Sequence, residues 1–223
     1  MGRRPHPQDF DAREHLLDVA VRLFAERGIA NTTVAQIAAA SGVTSAMVHY
    51  WFQTREKLLD ALFEEKLVAA FAAIWEPVDP EHDDPLALTQ GIVKRMFDVT
   101  EKMPWLPSLW LREIVNEGGL LRERAFVHIP LQKLAGFGRN IARGCASGQL
   151  NAQLEPSLLF NSVLALVMLP QATAKIWQRL NPSTSFDRAT LERHVVALLT
   201  CGMNATPTPA STPTAPHAKR KPS

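Results

Sequence analysis

The chain has 223 residues, of which 46% are hydrophobic and 21% charged, with a formal net charge of +2. This is the composition of an ordinary globular protein, large enough for one small domain and one larger one, and it argues against a disordered or fibrous chain. No basic stretch followed by an apolar core opens the sequence, and the two cysteines, Cys145 and Cys201, lack CxxC or His spacing. Secretion, a disulfide framework, a structural metal and a cofactor are therefore not expected, and a cytoplasmic location is.

Residues 1 to 10, with Arg3 and Arg4, predict an unstructured basic arm of the kind that reaches a DNA minor groove. A first helix is expected near 11 to 27, with Leu16, Ala20, Leu23 and Phe24 on one face and Gly28 as its stop. A second begins at Val34: Thr33 followed by Gln36 has the form of a capping box, and Val34, Ile37, Ala38 and Ser41 fall on one face. Gly42 can take the positive φ that ends it. A third helix from Thr44 or Ser45 turns Val48 and Phe52 inward. It leaves Thr44, Ser45, Ala46, Met47, His49 and Tyr50 outside, where hydroxyl, thioether, imidazole and phenol groups can reach base edges and phosphates. Helix, glycine turn, exposed helix is the form of a helix-turn-helix.

The stretch GIANTTVAQIAAASGVTSAMVHYWFQTREKLL resembles the DNA-binding segment of TetR-family repressors: a Gly after helix 1, hydroxyls opening helix 2, I-A-x-x-x-G-V, an aromatic run ending in Phe, then a basic-acidic pair before Leu. The resemblance covers about residues 12 to 65. It implies a regulator that binds double-stranded operator DNA as a homodimer; placement suggests Arg55 and the N–H groups opening the fourth helix, Thr32 or Thr33, and Tyr50 for phosphates, with Ser45 and Met47 toward bases. His49 stands where the family often has Tyr, and Trp51 where it often has His, which moves the aromatic phosphate contact to Tyr50. Over residues 1 to 60 seven Arg or Lys oppose seven Asp or Glu, so binding must depend on placement rather than on bulk positive charge.

Thr54 can cap a fourth helix whose stripe of Leu59, Leu62, Phe63, Leu67, Ala70, Phe71 and Ile74 runs to Pro77, a rod of about 30 Å for roughly 20 residues. Residues 77 to 85 form a loop, and its adjacent Glu81, His82, Asp83 and Asp84 are not spaced to converge on a metal. The remainder reads as all-α, giving a division into a DNA-binding domain over 11 to 60 and a ligand-binding and dimerisation domain over 61 to 204. Helices are expected at about 86 to 103, 109 to 117 and 120 to 146, the last bent at Pro130.

Met96, Phe97, Met103, Trp105, Trp110, Phe126 and Phe137 crowd these helices with soft and aromatic side chains that could wall a pocket for an apolar small molecule, with Glu113 and His128 as its polar groups. No nucleophile and base pairing, phosphate loop or metal spacing appears, which argues against an enzyme built on Glu113 or His128. Residues 156 to 174 are uncharged and apolar nearly all round, but polar interruptions argue against a membrane span. Burial at a subunit interface suits them better, with Leu159, Val163, Leu164 and Val167 packing beside Leu191, Val195 and Leu198 of a last helix, about 186 to 203, in a four-helix arrangement between two chains. After 204 the chain is a Pro, Thr and Ala-rich tail with Lys219, Arg220 and Lys221 near its end.

Overall fold

The computed structural model describes residues 7–76, 78–183 and 187–205. The basic arm, with Arg3 and Arg4, and the tail, with Lys219 to Lys221, lie mostly or wholly outside the described residues. Among those described, the chain is all-α with no strand, and it begins with a helix-turn-helix, as expected from sequence. Helices α1 (Pro7–Arg27), α2 (Val34–Ala40) and α3 (Ser45–Phe52) form the N-terminal unit. Leu16, Ala20, Phe24, Ile37, Val48 and Phe52 are buried in its core, while Leu23 and Val34 are only partly covered.

Local chemistry sets the angles between these helices. Thr33 accepts from the Gln36 amide at 3.2 Å, and its own N–H donates to the Gln36 side chain at 2.8 Å, closing the capping box. Gly42, at φ +69°, turns the chain so that Val43 N–H donates to Ala38 C=O at 3.0 Å. Thr44 then caps α3 through the Met47 amide, and Thr54 caps α4 (Arg55–Leu62) through the Lys57 amide. Between α3 and α4 the Thr54 N–H donates back to Phe52 C=O at 2.6 Å, and Gln53 between them sits at φ 60° and ψ −56°. This is a γ-turn of the strained, positive-φ type.

Helix α4 continues through a π-turn at Phe63–Leu67 into α5 (Val68–Trp75), so the expected rod exists but carries one wide turn. Arg13 of α1 grips this turn: its guanidinium donates twice to the Glu65 carboxylate, at 2.6 and 2.7 Å, and lies 4.9 Å from the centre of the Phe52 ring. That bond to Arg13 holds the Glu65 carboxyl below its usual range.

The body comprises α6 (Pro85–Lys102), α7 (Leu106–Trp110), a second π-turn at Leu111–Val115, α8 (Arg122–Val127), α9 (Leu131–Ala146), α10 (Pro156–Ala172), α11 (Ala174–Leu180) and α12 (Arg188–Met203). Pro107 falls in the first turn of α7, where no N–H is needed, so that helix starts earlier than expected. The helix expected over 120 to 146 is two helices, because Pro130 has no N–H to offer Phe126 and its ring crowds that carbonyl. The apolar run at 156 to 174 ends α10 and bends by 62° into α11. No single described helix is long and apolar enough to cross a membrane.

Helix α6 packs on α5 and α12, and α10 on α6, α7, α9 and α12. Arg188 at the start of α12 binds Asp98 and Glu101 of α6, and Gln90 of α6 donates to Thr200 of α12 at 2.9 Å. The second π-turn is closed by Gly118-Gly119, which brings Leu121 N–H to Glu113 C=O at 3.1 Å. A Cβ on Gly119 would lie 2.3 Å from that carbonyl oxygen, whereas one on Gly118 would meet nothing within 4 Å. Gly119→Ala should therefore destabilise the fold by about 3 kcal/mol, and Gly118→Ala should stay within about 0.5 kcal/mol. Urea denaturation of the two variants decides the point, and equal midpoints would rule out the tight closure.

Candidate DNA interface and apolar cavity

Helix α3 presents a polar and aromatic face to solvent. Thr44, Ser45, Ala46, Met47, His49 and Tyr50 are all exposed, Tyr50 by 74% and Met47 by 37%. His49 Nδ1 lies 3.2 Å from the Gln53 carbonyl, and Trp51 packs partly against the core. Thr33 is exposed at the start of α2.

Two expected contacts are placed elsewhere. Thr32 is fully buried, its hydroxyl donating to Gly28 C=O at 2.8 Å, because the tight turn after α1 needs that carbonyl satisfied. The Arg55 guanidinium is half-buried and turned inward onto Ile29 C=O. In this arrangement the Thr32 hydroxyl is spent on the turn, and Arg55 gives one guanidinium N–H to Ile29.

In the body an apolar cavity of about 200 Å³ opens between α5, α6, α7, α8 and α10. Of the expected residues Met96, Trp110 and Phe126 line it. Phe97 is instead in the closed core, and Met103 packs against that core. Trp105 points into a different, open cleft. His128 faces Glu64, with Nε2 3.1 Å from the carboxylate, and its ring lies 5.2 Å from that of Phe63. Walls that sequence reasoning missed come from Phe71, Ile74 and Trp75 of α5 and from Phe160, Leu164 and Met168 of α10. The latter three are four residues apart, a stripe that could have marked a cavity wall. Thr100 is the one hydroxyl in the lining, and it donates to Phe97 C=O at 3.2 Å. The cavity therefore offers no free hydroxyl and suits a neutral, apolar guest.

Glu113 is buried, at 5% exposure, yet it lies outside the cavity. Its Oε1 accepts the Ile29 N–H at 2.8 Å and its Oε2 the Leu120 N–H at 3.2 Å. The expectation of a ligand-binding carboxylate is corrected: its lone pairs are committed to backbone donors, one of them in the N-terminal unit. Its neighbour Ile114 does line the cavity. Gly28, at φ +85°, leaves little room here, since a Cβ would stand 3.2 Å from Arg112 Cδ and 3.4 Å from Glu113 Oε1.

The expected dimer face is also displaced. Leu159, Val163, Val167 and Val195 are buried inside this chain, Leu164 lines the cavity, and Leu191 is partly covered. The apolar side chains of α10 and α12 left bare are Leu158, Ala165 and Leu169 with Ala197, Leu198 and Cys201, of which only Leu198 was expected, and Asn161, Ser162, Arg193 and His194 are exposed on the same helices. No group of three or more His, Cys, Asp or Glu among the described residues could hold a metal ion.

Comparison with known proteins agrees with this architecture. The family model described as "Bacterial regulatory proteins, tetR family" matches residues 16–62. The HTH-type transcriptional regulator AcrR of Shigella flexneri is 26% identical over 203 residues, covering 89% of this chain and 92% of AcrR. The HTH-type transcriptional repressor KstR2 of Mycobacterium tuberculosis is 35% identical over 89 residues, 40% of this chain and 44% of that protein. The solved structure of the ketosteroid transcriptional regulator KstR2 of Mycobacterium tuberculosis superposes with a TM-score of 0.69 at 22% identity, over 86% of this chain and 94% of that one. A TetR-family transcriptional regulator of Haemophilus influenzae gives 0.59 at 14% identity, over 89% and 100%. With the helix-turn-helix exposed at one end and a helical body behind it, the chain belongs to the TetR family of DNA-binding transcriptional regulators.

Proposed function

We propose that the protein is a cytoplasmic repressor that binds a palindromic operator as a homodimer and releases it when an apolar small molecule enters the cavity. In this reading α3 lies in the major groove, the first N–H groups of α4 and Tyr50 hold phosphates, and Ser45 and Met47 face bases. Residues 11 to 60 form the DNA-binding domain and 61 to 204 the ligand-binding and dimerisation domain. The repressor KstR2, described as a ketosteroid regulator, supports both the repressor role and the apolar ligand.

One observation carries the ligand response. Trp110 and Ile114 line the cavity, and between them Glu113 holds the Ile29 amide of the N-terminal unit at 2.8 Å. A guest that displaces Trp110 or Ile114 must move the turn that bears Glu113, and with it the base of α1. In a dimer the two reading helices must match one turn of DNA, about 34 Å, so a small rotation at this joint opposes binding. The ligand acts only through its differential affinity for the two arrangements, and about 3 kcal/mol of coupling would lower operator affinity roughly 150-fold. Since an apolar cavity of about 150 Å³ can hold benzene, the cavity here suits a molecule of one or two rings.

A gel shift on DNA flanking the protein's own gene, with and without naphthalene, tests the reading as a whole. Tyr50→Ala should weaken operator and unrelated DNA alike, by roughly three- to tenfold, since a phosphate contact carries no base information. A loss below twofold with the dimer intact would place Tyr50 away from DNA.

Leu198→Glu would bury a charge against the partner, so sedimentation should show monomers and operator affinity should fall with them. Val195→Glu should instead unfold the chain, because Val195 is core. A wild-type monomer at micromolar concentration would exclude the dimer.

Trp110→Ala should leave unliganded DNA binding near normal and blunt release by naphthalene. A variant that responds as wild type does would put the ligand elsewhere.

A further inference from the structure

Trp105 stands on the far side of α7 from the apolar cavity, in an open cleft of about 1120 Å³ between α1, the end of α6, the second π-turn and the start of α11. Four cations line this cleft, Arg22, Lys102, Arg112 and Lys175, with Glu26 as the one acid among its lining residues. None of the four makes an ion pair or a side-chain hydrogen bond among the described residues. Several cations elsewhere are matched, Arg13 with Glu65, Lys66 with Glu14 and Asp18, Arg124 with Glu56 and Asp60, Arg139 with Glu81, Arg188 with Asp98 and Glu101, while Arg27, Lys94 and Arg179, which do not line the cleft, also lack ion pairs among the described residues. What sets this cleft apart is that four such cations share one concavity, although the N-terminal 60 residues are neutral in sum.

Like charges around a concave, partly apolar wall repel one another more than they would on a convex surface, because field lines focus there and water screens them less. An anion removes that repulsion. The indole of Trp105 adds a flat apolar face, on which an aromatic ring can stack while the cations hold its charged group. We propose that this cleft binds a small molecule carrying two or more negative charges and a flat ring, at a site separate from the apolar cavity. The apolar cavity cannot take such a guest, since it offers no cation and no free hydroxyl. Arg22 belongs to α1 and the other three cations to the body, so the anion would bridge the two parts of the chain.

The test uses the full chain without DNA, with pyrophosphate as the probe for the charges and adenosine diphosphate as the probe for charges plus ring. Both should raise the melting temperature beyond potassium chloride of equal ionic strength, and neutral adenosine should not. Adenosine diphosphate should bind at least fivefold tighter than pyrophosphate, and Trp105→Ala should remove that difference. Lys102→Gln with Lys175→Gln, two exposed changes that leave the core untouched, should weaken both probes about tenfold. The proposal is overturned if neither probe shifts the melting curve beyond chloride, or if the double variant responds as wild type does. It is also overturned if the double variant lowers operator affinity while wild type ignores both anions, since the cations would then serve DNA phosphates.

Discussion

Both backbone polar groups of Ile29 are held by side chains from other elements. Its N–H is taken by Glu113 of the body, and its C=O by Arg55 at the head of the rod. A buried carboxylate is costly unless it is hydrogen-bonded, and here each oxygen of Glu113 accepts one backbone N–H, from Ile29 and Leu120, so pulling Ile29 away would strip one oxygen of its donor. Three parts of the chain therefore meet at one residue: the base of α1, the start of α4 and the turn beside the cavity wall. Gly28 permits this convergence, because its missing side chain is what lets Arg112 and Glu113 approach.

The helix-turn-helix was legible because its determinants are local. The capping box at Thr33 and Gln36, the glycine stop and the hydroxyl caps at Thr44 and Thr54 all act within four residues, so the sequence window contains the whole cause. Thr32 and Arg55 escaped the same reading for a physical reason. Thr32 is spent on the turn carbonyl of Gly28, and Arg55 on a carbonyl 26 residues away, which no local pattern records.

The body was legible in kind and not in register. Helix α10 is apolar nearly all round, so periodicity cannot say which face meets its own chain and which is left bare, and the interface expected at Leu159, Val163 and Val167 is in fact core. Trp105 and Trp110 were expected in one wall. They are five residues apart, about 140° around a helix at 100° per residue, and so serve opposite sides of α7. The two π-turns were invisible to pattern: each widens the ladder by one residue where a distant element, Arg13 in one case and Ile29 in the other, engages a glutamate on that turn.

The γ-turn at Gln53 sets a different kind of constraint. A non-glycine residue at positive φ with a bond across only two residues costs about 1–3 kcal/mol, held in place by the helices on either side. A glycine there would relieve the strain and make the protein easier to fold. The same relief would add a swivel between the rod and α3, so the two helices would no longer be held at one angle. Position 53 thus sets robustness of the fold against stiffness of the corner between α3 and α4, and the strained residue is the stiffer arrangement.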